Sequence, residues 1–203
     1  MANNYYSNLR TDLISLIDVK EIENALEIGG GNFDTLKYIV EHHNCNGVGV
    51  DIRVPDNVNK IKYYQFDLDK IDEDNFLKGM QFDLILAGDV LEHTIYPEKI
   101  CSIISNLLSP NGMFILSVPN IRSIRALYWI FIKGIFPRTD SGLFDKTHRS
   151  WFTYRNMENI LRDSNFEIVK YKPLGRFDKY FFGKKSLLSE FFALQHCFVV
   201  KRK

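Results

Sequence analysis

Four short runs typical of β-strands lie in the first half of the chain, and each is followed by glycine or aspartate. The runs cover residues 25–28, 47–50, 62–66 and 82–87, and they are followed in turn by the glycines 29–31, Asp51, Asp67 and the pair Gly88 and Asp89. Helical stretches separate the runs, and this alternation is typical of a mostly parallel sheet covered by helices on both faces. Because ligands bind at the carboxyl ends of the strands in such sheets, we expect these glycines and aspartates to line one site.

The remaining elements follow from the spacing of apolar residues and from turn residues. We predict helices over residues 7–20, 33–40, about 70–77, about 97–108, and from an N-cap at Thr153 to about residue 163. We predict further strands over residues 113–118, 166–171 and 191–200, the last of them at or near the edge of the sheet, with a turn at 109–112.

The charge balance argues against a protein that holds nucleic acid through its backbone. The chain carries 26 Lys and Arg residues and 25 Asp and Glu residues, so its formal net charge is only +1. Proteins that neutralise many phosphates concentrate positive charge instead. We therefore expect no nucleic-acid partner.

The cysteines predict a reducing compartment. Cys45, Cys101 and Cys197 lie far apart and form no Cys-x-x-Cys pair, which argues against a zinc site or a disulfide framework.

The first ten residues lack the apolar core of a signal peptide, and the longest apolar run, 126–132, is too short for a bilayer that needs about 20 residues. We therefore expect a soluble cytoplasmic protein whose residues 1–203 form one domain.

The glycines 29–31 predict a ligand that approaches the backbone at the start of a helix. A dinucleotide fingerprint would need a further glycine at Asp34, and an acid beside a pyrophosphate is unfavourable, which weakens the alternative of an NAD-dependent oxidoreductase. Asp51 is placed to accept hydrogen bonds from both hydroxyls of a ribose, and Asp67 from an adenine amino group.

These motifs resemble those of the class I S-adenosylmethionine-dependent methyltransferases. The matching stretches are residues 25–31, 49–51, 66–68, 82–93 and 107–112. The resemblance implies a doubly wound three-layer α/β sandwich with seven strands in the order 3-2-1-4-5-7-6, the last strand antiparallel. Phe33 stands where the family usually has the third glycine of its first motif, and this departure bears on the methionine end of the pocket.

Residues 143–153 are similar to a stretch in a bacterial subgroup of these enzymes. That subgroup also resembles the O-methyltransferases of quinone biosynthesis and enzymes encoded with cell-surface glycan pathways. The resemblance implies a small-molecule acceptor, with the methyl group going to an oxygen on a sugar, a glycan precursor or a quinone-like ring. A non-catalytic nucleoside-binding protein stays open as an alternative.

The resemblance also implies a set of residues that hold S-adenosyl-L-methionine. The expected cofactor-binding residues are Glu27, Gly29, Gly30 and Gly31 for the methionine part, Asp51 for the ribose, Ile52, Asp67 and Leu68 around the adenine, and Asp89 near the sulfonium.

An oxygen or nitrogen acceptor that must lose a proton needs a base that is active near neutral pH, and histidine is the simplest choice. His93 and His148 are the two candidates, with alignment alone as a third option. Asp89, Glu92 and His93 could instead hold a divalent metal ion within one helical turn. The alternative is that Glu92 and His93 point to opposite sides of a short helix, and we expect no metal.

An aromatic segment, residues 124–136, interrupts the alternation after the fifth strand. The resembled family commonly inserts acceptor-binding lids here, so we expect residues 121–150 to form an acceptor-side insertion. The segment is either a lid or a membrane-facing helix that admits an apolar or lipid-linked acceptor, and the alternative is a helix packed on the core or at a dimer interface.

A second patch interleaves aromatic residues and lysines over residues 177–185. It resembles a sheet-edge loop with snorkelling lysines more than a surface for single-stranded RNA.

Overall fold

The computed structural model of the chain describes residues 9–19, 21–53, 60–71, 77–175 and 187–203. The strands are β1 Asn24–Ile28, β2 Asn46–Asp51, β3 Lys62–Gln65, β4 Phe82–Gly88, β5 Leu108–Pro119, β6 Phe166–Leu174 and β7 Gln195–Arg202. The helices are α1 Thr11–Ile14, α2 Asp34–His43, α3 Pro97–Leu107, α4 Ile124–Leu127, α5 Tyr154–Asp163 and α6 Leu187–Phe192. Single 3₁₀ turns cover Leu68–Lys70 and Leu91–His93, and a π-helical turn covers Tyr128–Ile132.

The seven strands form one sheet in the order β3-β2-β1-β4-β5-β7-β6. The pairs among β1 to β5 are parallel, whereas β7 is antiparallel to both of its neighbours. Ile28 lies beside Val50 on one side and Ala87 on the other, so β1, β2 and β4 end at the same level. The expected sheet and strand order are confirmed.

Hydrophobic residues cover both faces of the sheet, as a three-layer sandwich requires. Because side chains alternate between faces along a strand, Phe114 and Leu116 of β5 join one core cluster and Met113 and Ile115 join the other. The first cluster packs on α3 and α5, and the second packs on α1 and α2.

The predicted helix over residues 7–20 is wrong in length. Of the described residues 9–19, only Thr11–Ile14 are α-helical. The chain continues with bonds from the amide of Leu16 to the carbonyl of Leu13 and from the amide of Ile17 to the carbonyl of Ile14. Leu13 and Leu16 are both buried. A spacing of three satisfies a 3₁₀ turn as well as an α-helix, so the periodicity did not distinguish them.

Two predictions near β5 and β7 are corrected. Residues 109–112 do not form a separate turn, because β5 begins at Leu108 and passes through an irregular register between Phe82 and Leu84 of β4. The strand predicted over residues 191–200 begins only at Gln195, after helix α6. The Asn120 side-chain amide donates to the backbone carbonyl of Ala193, which holds this bend against the end of β5.

Other predicted elements are confirmed. Thr153 is the N-cap of α5, and its hydroxyl oxygen accepts a hydrogen bond from the amide of Asn156. Two predictions fall on residues that the structure does not describe. They are the central part of the short helix near 70–77, residues 72–76, and the second aromatic patch, residues 177–185.

Candidate functional site

Two adjoining cavities lie at the carboxyl ends of the parallel strands. The inner cavity has a volume of about 320 Å³, and its lining includes Arg10, Glu27, Glu92, Asp145 and His148. The outer cavity has a volume of about 390 Å³, and its lining includes Val50, Asp51, Ile52, Asp67 and Leu68. Both are also lined by Gly29, Asp89 and His93. The two cavities therefore meet at the end of β4, and each is within the range typical of small-molecule sites.

The loop after β1 requires glycine for two separate reasons. Gly29 and Gly31 have φ angles of 69° and 60°, a region that residues with a Cβ rarely adopt. A Cβ at Gly29 would lie 2.4 Å from Cγ2 of Val90, and a Cβ at Gly30 would lie 2.7 Å from the carboxyl carbon of Glu27. The loop backbone therefore faces the cavities with no side chain in the way.

Glu27 is buried at the end of β1 and lines the inner cavity. One of its carboxylate oxygens accepts a hydrogen bond of 3.0 Å from the amide of Leu36 in the first turn of α2. Burial raises the pKa of Glu27 to about 7. Its second oxygen is the one left for a ligand or a proton.

Asp51 holds the loop after β1 against the end of β2. Its Oδ2 accepts a hydrogen bond of 2.8 Å from the amide of Gly31, and its Oδ1 accepts one of 2.8 Å from the amide of Arg53. Each carboxylate oxygen can accept a second bond. The buried carboxylate is thus fixed in position and retains acceptor capacity toward the outer cavity.

The other residues expected around the adenine lie in the same outer cavity. Asp67 caps the 3₁₀ turn that follows it by accepting from the amide of Asp69. Ile52 is 59% exposed, and Leu68 packs partly against the core. The structure therefore brings Asp51, Ile52, Asp67 and Leu68 together around one opening.

Asp89 lies between the two cavities with a φ of 58°. Its carboxylate accepts from the Ser117 hydroxyl at 2.8 Å, the Arg10 guanidinium at 3.1 Å and the Gln195 amide at 2.9 Å. The sequence interpretation did not include Arg10 or Gln195, since neither belongs to a recognisable motif. With these three donors, Asp89 stabilises the junction between β4, β5, β7 and the N-terminal segment.

His93 and His148 come together at the mouth of the inner cavity, with ring centroids 4.7 Å apart. Nδ1 of His148 lies 3.1 Å from the carbonyl oxygen of Leu143, so that nitrogen carries the proton. The Thr147 hydroxyl donates to Asp145 and therefore accepts from Nδ1 of His93, at 3.0 Å. In their neutral forms both rings consequently present an unprotonated Nε2.

The surroundings keep His148 neutral and Asp145 ionised. Burial, with a smaller contribution from the neighbouring charge of His93, lowers the pKa of His148. Burial works against the ionised form of Asp145, but the hydrogen bonds from Thr147 outweigh it and lower the pKa of that carboxyl group. A neutral imidazole beside a fixed carboxylate can accept a proton near neutral pH.

Glu92 is a site residue that the sequence interpretation named only as a metal ligand. It is 1% exposed, and neither of its carboxyl oxygens has a hydrogen-bond partner among the described residues. Burial raises its pKa well above the ordinary value. Its backbone carbonyl accepts from the amides of Arg149 and Ser150, which attaches residues 149–150 to the 3₁₀ turn after β4.

The alternative of a metal ion held by Asp89, Glu92 and His93 is not supported at Asp89, whose carboxylate is engaged by Arg10 and Gln195. Glu92 and His93 do not point to opposite sides either. Donor atoms of Glu92, His93 and His148 all lie within 4.8 Å of one another. Oε1 of Glu92 is 4.0 Å from Nε2 of His148.

Comparison with known proteins agrees with this geometry. A family model described as a methyltransferase domain matches residues 4–171 of the 203. Among solved structures, an S-adenosylmethionine-dependent methyltransferase from Mesorhizobium loti superposes with a TM-score of 0.65 at 18% identity, over 95% of this chain and 96% of that one.

Two further structures have the same fold. A SAM-dependent methyltransferase from Archaeoglobus fulgidus gives a TM-score of 0.60 at 17% identity, over 89% of this chain and 86% of that chain. The 1,6-didemethyltoxoflavin-N1-methyltransferase of Burkholderia thailandensis, solved with 1,6-didemethyltoxoflavin and S-adenosylhomocysteine, gives 0.63 at 15% identity, over 95% and 76%. Among curated proteins, no sequence matches the chain at a significant level.

Proposed function

Because the chain belongs to the methyltransferase-domain family, we propose that it transfers a methyl group from S-adenosyl-L-methionine to an oxygen of a small-molecule acceptor. The observation that carries this proposal is the convergence of four strand ends on two connected cavities. One cavity offers a nucleoside a fixed acid and apolar walls, and the other offers an acceptor two histidines with unprotonated Nε2 atoms.

S-adenosyl-L-methionine is the cofactor, and the described residues fit it. In the outer cavity Asp51 binds the ribose hydroxyls, Asp67 accepts from the adenine amino group, and Ile52 and Leu68 form the apolar slot. The backbone at Gly29 and Gly30 and the free oxygen of Glu27 receive the methionine part in the inner cavity, while Gly31 contributes by holding Asp51 through its amide.

Asp89 lies where the two cavities meet, which is where the sulfonium would be held. When bound, the cofactor supplies an electrophilic methyl group. The chain's own contribution is to hold that methyl and the acceptor in line, and such positioning can supply roughly 7–11 kcal/mol of the barrier. The hydrogen bonds of Asp89 to Arg10, Ser117 and Gln195 keep its carboxylate from moving as charge changes nearby.

His148 is the proposed general base. Its Nδ1–H is held by the carbonyl of Leu143, so Nε2 accepts the proton that the acceptor hydroxyl loses as its oxygen gains the methyl group. His93 lines the same mouth and is the second candidate. The inner cavity is rich in carboxyl and imidazole groups, which favours a hydroxylated acceptor such as a sugar, a glycan precursor or a quinone-like ring.

We further propose that residues 121–150 are an acceptor-side insertion within a single domain of residues 1–203. Asp145 and His148 from this segment line the inner cavity, which supports that assignment. The protein is proposed to act in the cytoplasm, and the three unpaired cysteines support a reducing compartment.

Calorimetric titration with S-adenosylhomocysteine and with NAD tests the cofactor assignment. We expect binding of the first and none of the second. Asp51→Asn should weaken S-adenosylhomocysteine binding by about 1–3 kcal/mol, because a charged acceptor for two ribose hydroxyls is lost. Glu41→Gln is the matched control, since it removes an exposed carboxylate that pairs with Lys60 outside both cavities.

The outcomes separate the rival functions. Binding of NAD alone would replace the proposal with an oxidoreductase. Binding of S-adenosylhomocysteine without methyl transfer to any of a panel of sugars, catechols and quinols would favour a non-catalytic nucleoside-binding protein. An unchanged affinity in Asp51→Asn would contradict the placement of the ribose.

A further inference from the structure

The segment after β5 carries an apolar stripe that the described part of the protein leaves uncovered. Ile124, Tyr128, Phe131, Ile132 and Ile135 recur at intervals of three and four residues and are all exposed, as is the neighbouring Phe136. Phe131 and Ile132 are 75% and 74% exposed, which is unusual for two adjacent large apolar residues. We call these six residues the 124–136 surface.

The helix under this surface is held to the protein on its other side. Ala126 is fully buried, and the Ser123 hydroxyl caps the helix by accepting from the amide of Ala126. The π-helical turn continues the helix, with the amide of Lys133 bonded to the carbonyl of Tyr128. The 124–136 surface therefore faces outward from a helix whose opposite side is packed on the protein.

The charged side chains of residues 124–138 are all positive, and the first acid beyond them, Asp140, is paired with Lys146. No Asp or Glu lies between Glu98 and Asp140 in the sequence, whereas Arg125, Lys133 and Arg138 are all exposed. Nζ of Lys133 lies 5.7 Å from the centre of the Tyr128 ring, so a positive charge sits directly beside the apolar stripe. Basic residues that flank exposed aromatic and aliphatic ones form the pattern of a helix lying in a membrane interface.

This charge pattern favours one occupant. A second copy of the chain placed by a twofold axis would bring the same positive residues face to face, and like charges across a contact are unfavourable. The phosphates of an anionic bilayer complement them, while the acyl region accepts the apolar side chains. No helix in the described ranges is long and apolar enough to cross a bilayer.

The surface is also continuous with the mouth of the inner cavity. The Phe136 ring contacts Phe144 and Trp151 edge to face at 5.2 and 5.4 Å. The next residues along the chain include Asp145 and His148, which line the cavity. We propose that the 124–136 surface docks on an anionic lipid bilayer, with Phe131 and Ile132 buried among the lipids and Arg125, Lys133 and Arg138 at the phosphates.

Co-sedimentation of the full chain with vesicles tests this proposal. We expect binding to vesicles of phosphatidylcholine mixed with phosphatidylglycerol, weaker binding to phosphatidylcholine alone, and release by salt. Replacing both Phe131 and Ile132 by Ser should lower the partition coefficient about tenfold or more. Arg125→Gln and Lys133→Gln should each lower it about fivefold.

Val169→Ser is the matched control, because Val169 is an exposed apolar residue on β6 and is expected to leave vesicle binding unchanged. Titration of each variant with S-adenosylhomocysteine checks the fold and reports separately on the proposed function. The proposal is overturned if the wild-type protein does not bind the mixed vesicles, or if Val169→Ser weakens binding as much as the double variant. It is also overturned if sedimentation velocity shows that the wild-type protein is a dimer that does not bind vesicles, and that the double variant is a monomer. The surface is then a contact between two copies of the chain.

Discussion

The conformation of Phe33 leads to a quantitative prediction about the loop after β1. Phe33 precedes α2 with a φ of 58°, a left-handed conformation that costs a residue with a Cβ about 1–2 kcal/mol. Its ring is fully buried, lies against Gly49 and contacts Tyr63 with centroids 5.9 Å apart. The backbone thus favours glycine at position 33, while the packing favours the ring.

The two contributions can be separated by comparing Phe33→Ala with Phe33→Gly. The alanine variant loses the buried ring and keeps the unfavourable backbone, so it should lose about 3–5 kcal/mol in the free energy of unfolding. The glycine variant loses the same ring but relieves the backbone, so we expect it to be about 1 kcal/mol more stable than the alanine variant. This order is the reverse of the one found within helices, where alanine is preferred to glycine.

A third substitution tests the packing directly. A Cβ added at Gly49 would lie 2.8 Å from two ring carbons of Phe33, so Gly49→Ala alone should be destabilising by about 1–3 kcal/mol. In the Phe33→Gly background the ring is gone and the methyl group fits into the space. The double variant should therefore be more stable than the sum of the single effects predicts.

Equilibrium urea unfolding of the four variants and the wild type measures all these differences. Additive effects of Phe33→Gly and Gly49→Ala would refute the assignment of the ring contact. A glycine variant less stable than the alanine variant would refute the assignment of backbone strain. S-adenosylhomocysteine binding by each variant would show whether the loop retains its shape.

Two further predictions concern pH. If His148 is the base, His148→Gln should lower kcat by about 100-fold or more and abolish the loss of kcat at low pH. In the wild type that loss should occur below pH 6.5, because the pKa of His148 is lowered. If His93→Gln shows this fall in kcat and His148→Gln does not, the role belongs to His93. Burial lowers the pKa of His196 to about 3, so the unfolded chain binds a proton first as the pH falls. The contribution of His196 to stability is therefore complete above its ordinary pKa of about 6.5 and declines toward pH 3 by up to about 1.4 kcal/mol per pH unit. When the free energy of urea unfolding is measured against pH, His196→Asn should reduce its slope, and the asparagine still offers an acceptor to the Tyr171 hydroxyl. An unchanged slope would contradict the assignment.

The strands of the first half and the residues at their ends were predictable because their signals are local. An apolar run followed by glycine or aspartate predicts both the position of a strand and the residue at which it ends. The bounds of β1, β2 and β4 match the predicted runs to within one residue. The parallel register then brings these ends to one edge of the sheet without further information. The sequence therefore predicts that Asp51 and the open loop at Gly29 line a common site.

Other features had weaker or ambiguous local signals. The apolar residues near the N-terminus fitted an α-helix and a pair of 3₁₀ turns equally well, and α1 proved short. The start of β7 depends on hydrogen bonds from the distant Asn120, which no pattern around residue 191 could reveal. Arg10 reaches Asp89 from outside every recognised motif.

The sequence alone predicted the parallel strands of the first half, the family, and the glycines and acids that line the outer cavity, since each depends on residues that are close together in the chain. Only the tertiary structure showed that Glu92 is buried beside His148 with no hydrogen-bond partner for its carboxyl group in the described part of the chain, and that Phe131 and Ile132 face outward. The burial of a carboxyl group and the exposure of an apolar side chain depend on which distant segment packs above them. Here both depend on residues 121–150, because the amides of Arg149 and Ser150 bond to the backbone of Glu92 and the described residues leave the 124–136 surface open.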